Sequence, residues 1–507
     1  MTATAIRPGD PALLEGLRRL TEGVTAPYLE HHAVLPLRRE GEGVLVGTCR
    51  SVADEQVVDD FTRLFGGEVQ LLRLPEGELR AAIRRLYSPE AQTAEGVVQG
   101  LASESVGGAV GEIPLDDLMS LANEAPVVRL VNLLLLEALE ARASDVHLEA
   151  HARGLQVRYR VDGVLQDAPS PPGHSMPAVV SRLKIMAELD VAERRIPQDG
   201  RLRLRLQDRQ VDVRVSTVPT LHGESVVLRL LDKERGRITL EEIGMGPDTL
   251  NAFVASVRRP NGIVLVTGPT GSGKTTTLYA AMDRIRTGKE KILTVEDPVE
   301  YELPGVAQVP VNEKVGVTFA TALRALLRQD PDVILIGEIR DQETAEIATH
   351  ASLTGHLVLS TLHTNDAPSA LTRLRDLGVA PYLIASTVEA VLAQRLVRRV
   401  CAQCAVEATP ERSELMALGP AAEGLERVKV GKGCPACRGS GYRGRLGVYE
   451  LLLMNDGLRD GVLKERSAGE LRRAAAEGGM RGLMDDGVRL IRAGLTTPSE
   501  VARVAVG

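Results

Sequence analysis

The chain has 507 residues, 44% of them hydrophobic, and a formal net charge of −7. That length exceeds what one hydrophobic core usually supports, so several domains are expected. The acidic balance and an aromatic content of only 2% argue against a nucleic-acid partner, because neither a broad attraction for phosphates nor a set of stacking surfaces is available.

The opening run MTATAIRPGDPALLEGL has no long apolar stretch behind a basic end, so it does not read as a signal peptide. Nowhere do about 18 apolar residues run together, as a bilayer span requires. Five cysteines, four of them in two CxxC pairs, suit a reducing compartment and a metal better than disulfides. The expected location is cytoplasmic.

Asp10 followed by Pro11 predicts a helix start, with Leu13, Leu14 and Leu17 on its apolar face. Strands are expected near Val44 to Cys49 and Val69 to Leu74, and helices near Asp54 to Phe65 and Glu76 to Tyr87, which makes residues 1–90 a small α/β module. Cys49, alone in an apolar strand, reads as a buried structural thiol. Residues 91–112, rich in Gly, Ser, Ala and Glu and without periodicity, read as a flexible linker.

An α+β domain is expected over residues 113–232. Ala125 to Ala141 has the spacing of a long amphipathic helix, and Leu155, Val157, Tyr159 and Val161 alternate with polar residues at the strand period. Arg201, Arg203 and Arg205 alternate with leucines, and Arg214 lies between two valines, so one sheet face carries an arginine stripe. A solvated face explains such a stripe by count alone, and an RNA-reading surface would interleave aromatics.

Residues 233–398 hold the chemistry. Ile263 to Thr267 is an apolar run suited to a central parallel strand, and Gly268, Pro269, Thr270, Gly271, Ser272, Gly273, Lys274 and Thr275 follow as GxxxxGK[ST], with Thr276 next. A triphosphate must be wrapped by backbone N–H groups with no Cβ in the way, and glycines supply the turn and the clearance. Lys274 then opens a helix whose positive end faces the phosphates. Its ammonium reaches the β and γ oxygens and the Thr275 hydroxyl ligates Mg²⁺. Ile292 to Val295 delivers Glu296, Asp297 and Glu300 at a strand end, where open α/β sheets bind ligands. Val333 to Ile336 delivers Glu338, in a position where many such enzymes place Asp. Glu338 is expected to orient magnesium and Glu300 to polarise water, with Glu296 and Asp297 shaping the site. Leu357 to Thr361 lies between His356 and His363, for which hydrogen bonding in a core and sensing of the γ-phosphate are both open.

Cys401, Cys404, Cys434 and Cys437 form two CxxC pairs 29 residues apart, a tetrahedral Zn²⁺ set within residues 399–445. Redox chemistry and an iron–sulfur cluster are the competing uses. Residues 446–507 read as a helical closing region, with a capping box at Thr497 to Glu500.

The runs VEDPVEY, LRQDPDVILIGEIRDQETAEIATHASLTGHLVLSTLHTNDA and LAQRLVRR, together with the paired CxxC motifs, resemble the secretion ATPase superfamily, and within it the type II secretion ATPases. The resemblance runs from about Ile113 to the C-terminus and is weaker over residues 1–90. It implies a RecA-like ATP-binding core in a homohexamer, with a smaller domain packed on the next subunit and supplying arginines to the γ-phosphate. Arg201 and Arg214 lead as candidates, with Arg194 and Arg195 behind. Gly268 to Thr275 then becomes the Walker A loop, Glu296 to Glu300 part of the aspartate box, Glu338 the Walker B acid, and His356 and His363 the histidine box. The implied activity is ATP hydrolysis that powers protein export. Extension of type IV pili is the close alternative, and a nucleic-acid-translocating motor the distant one. The implied partners are the cytoplasmic domain of a membrane-anchored secretion protein, docked by the N-terminal module, and an inner-membrane platform protein. These would recruit the chain peripherally to the inner membrane.

Overall fold

The computed structural model describes residues 6–8, 26–40, 43–50, 54–87, 125–152, 154–171, 175–206, 209–232 and 238–505, with the single positions 14, 17, 20, 24 and 52. The helix start at Asp10, the linker 91–112 and the domain start at Ile113 lie outside these residues. The chain divides into two compact units, Met1–Asp232 and Lys233–Gly507.

The first unit begins with β1 (Ile6–Pro8), α1 (Ala26–His32), β2 (Val34–Glu40), β3 (Gly43–Thr48), α2 (Glu55–Phe65), β4 (Val69–Arg73) and α3 (Glu76–Tyr87). The four strands form one sheet in the order β1-β4-β3-β2. Asp54 caps α2 by accepting the Gln56 N–H, and Val57, Phe61 and Phe65 recur every four residues as its buried face. Cys49 falls just past the end of β3 and is half-buried against this core. The sequence pattern gave no hint of α1 or β2: seven residues are too few for a helical period, and Pro36 sits within the strand.

The same unit continues with α4 (Ala125–Glu140), β5 (Ala143–His151), β6 (Gly154–Val161), β7 (Val164–Asp167), α5 (Met176–Met186), β8 (Gln198–Leu206), β9 (Arg209–Thr220) and β10 (Gly223–Asp232). Its six strands are ordered β7-β6-β5-β10-β9-β8. Leu130, Leu134, Val179 and Leu183 of α4 and α5 share a core with Val157, Val213, Val215 and Leu228 of one sheet face. Strand alternation therefore sends Arg201, Arg203 and Arg214 to the other face, which accounts for the stripe.

The second unit contains α6 (Pro247–Val257), β11 (Gly262–Thr267), α7 (Lys274–Ile285), β12 (Ile292–Glu296), β13 (Val306–Pro310), α8 (Phe319–Leu326), β14 (Val333–Ile336), α9 (Gln342–Leu353), β15 (Leu357–Leu362), α10 (Ala367–Asp376), α11 (Pro381–Thr387) and β16 (Val388–Val400). Beyond them come β17 (Ala405–Ala408), α12 (Arg412–Leu418), β18 (Val428–Gly431), β19 (Tyr442–Leu453), α13 (Asp456–Leu463), α14 (Ala468–Glu477), α15 (Leu483–Arg492) and α16 (Pro498–Ala505). A seven-stranded sheet runs β13-β12-β14-β15-β11-β16-β19, parallel except for β19. All six residues of β11 are buried, as a strand covered on both faces requires.

Two boundaries differ from expectation. β16 reaches Val400, and β19 returns from Tyr442 to pair with it. The cysteine segment is thus an excursion between two paired strands, and the closing region begins with a strand of the central sheet before turning helical. Among the described residues no helix is long and apolar enough to cross a membrane.

Candidate nucleotide and zinc sites

The glycine loop leaves β11 at Thr267 and enters α7 at Lys274. Gly268 has a φ of 148°, and a Cβ there would lie 2.4 Å from the Gln394 carbonyl oxygen and 2.7 Å from the Ser272 hydroxyl, so no side chain fits. Ser272 Oγ is buried with no partner. Pro269, Thr270, Gly271 and Thr275 are exposed, Gly273 and Thr276 half-buried. Lys274 is only 9% exposed, and its Nζ donates to the carbonyls of Gly268 at 2.8 Å and Pro269 at 3.1 Å. Burial depresses its pKa to about 8; the charge of Glu338 opposes the shift and that of Arg395 adds to it. A buried ammonium facing only carbonyls at a helix N-terminus, beside an orphaned hydroxyl, is fitted to an anion of several phosphoryl oxygens.

Glu338 emerges at the same edge of the sheet. The turn that carries it is pinned by Gly337 N–H donating to Val295 O at 2.8 Å and by the Thr361 hydroxyl donating to Gly337 O at 2.7 Å. Its Oε1 accepts from Arg340 Nη2 at 2.6 Å, and its Oε2 lies 3.2 Å from His363 Nε2. Burial pushes the carboxyl pKa up, but hydrogen bonds and charge from Arg340 and His363 outweigh it and hold the group below its ordinary value. Arg340 also lies 3.9 Å from Asp297, so acids from the ends of β12 and β14 share one cation. The carboxylate is thereby kept ionised, the state in which it can hold a hydrated Mg²⁺.

The remaining candidates are sorted by their surroundings. Glu300 is exposed, beside the hydroxyl of Tyr279. Glu296, 2% exposed, accepts from the Tyr279 hydroxyl, from Thr294 Oγ1 at 2.5 Å and from Gln308 Nε2 at 3.1 Å. Its oxygens tie α7 to β12 and β13, so it shapes the site from beneath instead of offering a nucleotide ligand. His356 requires a correction. It precedes β15, whereas His363 follows it, and β15 runs parallel to β11 with Gly262 opposite Leu357 and Thr267 opposite Leu362. His356 is therefore at the edge away from the glycine loop, roughly 20 Å along the strand. Its Nδ1 is 2.9 Å from Ala351 O and 3.1 Å from Thr354 Oγ1, the hydrogen-bonding role left open for it.

Arg201 and Arg214 are direct cross-strand partners on β8 and β9 in the first unit. Arg194 and Arg195 lie in the loop before β8, with Arg195 held by Glu193 at 2.6 Å.

Two residues without an assigned role complete the loop's surroundings. β16 is 13 residues long against six for β11, and Ala393 pairs with Thr267, so β16 continues beneath the loop. Gln394 Oε1 accepts from the Thr277 hydroxyl at 2.7 Å. Arg395 Nη2 donates to Asn365 O at 3.1 Å and Oδ1 at 3.2 Å, while its Nη1 is buried without a partner. The run LAQRLVRR contained both.

The four cysteines meet because β17 and β18 pair antiparallel, placing the end of the first CxxC beside the start of the second. Sulfur separations are 3.9 Å for Cys401–Cys434, 3.8 Å for Cys404–Cys437 and 3.7 Å for Cys434–Cys437. A tetrahedron with bonds of about 2.3 Å has edges of about 3.8 Å, so the set fits Zn²⁺. Burial raises the Cys437 pKa, but N–H groups of Cys434 and Gly441, at 3.1 and 3.3 Å, help bring it down to about 6, favouring the thiolate a metal binds. A Cβ on Gly431 would lie 2.0 Å from Gly441 O, so the two knuckles approach through glycine backbone.

A family model described as Type II/IV secretion system protein matches residues 120–503, and a second, the MshEN domain, matches residues 7–93. The chain is 53% identical over 415 residues to Type II secretion system protein HxcR of Pseudomonas aeruginosa, covering 80% of this chain and 85% of that one. It is 43% identical over 480 residues to Type IV pilus assembly ATPase PilB of Myxococcus xanthus, covering 93% and 84%. The X-ray structure of the Legionella pneumophila ATPase DotB aligns with a TM-score of 0.55 at 21% identity, over 74% of this chain and 95% of that one, a likeness of fold alone.

Proposed function

This chain is a P-loop ATPase that belongs to the Type II/IV secretion system protein family, and from that premise we propose that it works as a cytoplasmic hexamer whose ATP hydrolysis powers protein export by a type II secretion system. The observation that carries the reading is the meeting of Lys274 and Glu338 at one sheet edge, close enough for Glu338 to shift the Lys274 pKa. In this reading Lys274 exchanges the carbonyls of Gly268 and Pro269 for phosphate oxygens. Thr275 and Glu338 would hold Mg²⁺, and the chemistry it would supply there is neutralisation of phosphoryl charge. Glu300, at the open side of the site, orients the attacking water. His363 steadies Glu338, and Arg201 and Arg214 serve the γ-phosphate of the neighbouring copy.

Residues 1–90 dock on the cytoplasmic domain of a membrane-anchored secretion protein and so bring the ATPase to the inner membrane, where it works against a platform protein. Pilus extension is the reading to be separated from export, because the similarity to PilB spans nearly the whole chain. Introducing the gene into a bacterium that has both systems and lacks both motors separates them. Export restored without pilus extension supports the proposal; pilus extension alone contradicts it. Deletion of residues 1–90 is expected to abolish membrane recruitment while ATP binding persists, and unchanged recruitment would overturn the docking role.

A further inference from the structure

β16 outruns β11, and the two residues that follow its last pairing form a floor beneath the glycine loop. Ala393 pairs with Thr267, and Gln394 then brings its carbonyl oxygen to 2.4 Å from where a Cβ on Gly268 would sit. Arg395 Nη1 lies 3.4 Å from the same point and is buried without a partner among the described residues. The other terminal nitrogen is anchored, for Nη2 donates to the Asn365 backbone carbonyl at 3.1 Å and to its Oδ1 at 3.2 Å. The acids whose charges act on Arg395, Asp366 and Glu450, are themselves held by Arg472, at 2.7 and 3.4 Å. Nη1 is thus a fixed donor lacking an acceptor, an unfavourable arrangement inside a protein unless another state supplies one.

Gly268 carries the acceptor. Its carbonyl oxygen receives Lys274 Nζ at 2.8 Å, and Pro269 O receives the same ammonium at 3.1 Å. A triphosphate draws that ammonium onto its β and γ oxygens, and both carbonyls then lose their donor. Pro269 is exposed, so water replaces the lysine there; Gly268 is buried against β16, where water does not reach. The loop then holds an acceptor without a donor, above a strand that holds a donor without an acceptor. One hydrogen bond removes both deficits. Ser272 Oγ is a second buried orphan, 2.7 Å from the same point, but it belongs to the loop and travels with it, whereas Arg395 stands on the sheet.

We propose that Lys274 and Arg395 exchange the Gly268 carbonyl: Lys274 holds it until phosphate arrives, and Arg395 Nη1 takes it when the ammonium moves onto the nucleotide. Arg395 is then a positioning residue, acting on the nucleotide through the loop and not by contact. The inference rests on the reading of Lys274 as the phosphate-binding lysine, and it goes beyond that reading by naming the group that takes the lysine's place.

A double-mutant cycle read by binding tests the exchange, with a non-hydrolysable ATP analogue titrated against the full chain. Arg395→Ala is expected to weaken binding about five- to tenfold, because the carbonyl that the lysine releases stays unpaired. In a Lys274→Ala background no ammonium leaves that carbonyl, and the same change is expected to weaken binding less than about twofold. Asn365→Ala, which takes one acceptor from Nη2, is expected to fall between wild type and Arg395→Ala, with the same dependence on Lys274. It carries the test if Arg395→Ala does not fold. Equal losses in both backgrounds, the sign of a residue that merely packs beneath the loop, overturn the inference. So does wild-type affinity in Arg395→Ala, or a lysine-dependent loss in Ser272→Ala with none in Arg395→Ala. Wild-type affinity in Lys274→Ala removes the reading of Lys274 itself, a failure distinct from these, and the inference falls with it.

Discussion

The glycine loop and the tetracysteine segment each gather ligand groups around one point, with different materials. The loop uses backbone N–H groups and an ammonium whose pKa burial lowers to about 8. Its cation faces carbonyls and is poorly satisfied until an anion arrives. The cysteine segment uses four side chains whose sulfurs, with separations of 3.7 to 3.9 Å among three of their pairs, match the edges of a single tetrahedron. The first arrangement favours exchange of its ligand and the second favours retention. A motor needs both, one end that turns over and a fixed staple for a segment with little core of its own.

The largest expected effect separates the two regions. Lys274→Ala should lower ATP turnover by at least about 10²-fold, as loss of a main phosphate contact does, while zinc content by atomic absorption stays at about one per chain. Loss of zinc together with turnover would show that the regions are not independent. The converse change, Cys404→Ser, should release the metal and lower the melting temperature by several degrees in a thermal scan. Nucleotide affinity below the transition should change less than about threefold, and a collapse of ATP binding at low temperature would contradict the division.

A pH series sharpens the contrast. Lys274 titrates lower in the folded chain than its ordinary 10.5, so between pH about 8 and 10.5 the unfolded state binds the extra proton and the stability of the nucleotide-free protein rises with pH. Phosphate binding needs the ammonium, so affinity for ATP should fall above pH 8, approaching about tenfold per unit. Lys274→Arg should flatten that fall in a binding titration, because arginine keeps its charge. The smallest effect is expected at His356. His356→Gln should alter turnover less than about twofold, and His363→Gln considerably more, since only His363 touches Glu338.

The glycine loop, the acid after β14 and the cysteine pairs were legible because each is a short string whose spacing is itself the chemical requirement. What stayed hidden depended on strands meeting. Gln394 and Arg395 reach the loop only because β16 pairs beside β11 and outruns it. Glu296 read only as a residue shaping the site, and the burial of its oxygens against Tyr279, Thr294 and Gln308 becomes visible only once α7 lies across β12. β19 could not be connected to β16 across the cysteine excursion by local pattern. The placement of His356 was within reach, because a strand bounded by two histidines puts them at opposite ends of the sheet.

The central claim is that Lys274 and Glu338 act on one magnesium-bound triphosphate, and Glu338→Gln tests it most directly. Nucleotide binding and turnover would be measured on the same preparation with and without Mg²⁺. The expected result is ATP bound within a few-fold of wild type and turnover reduced at least about 10²-fold. Wild-type turnover in that variant would contradict the account.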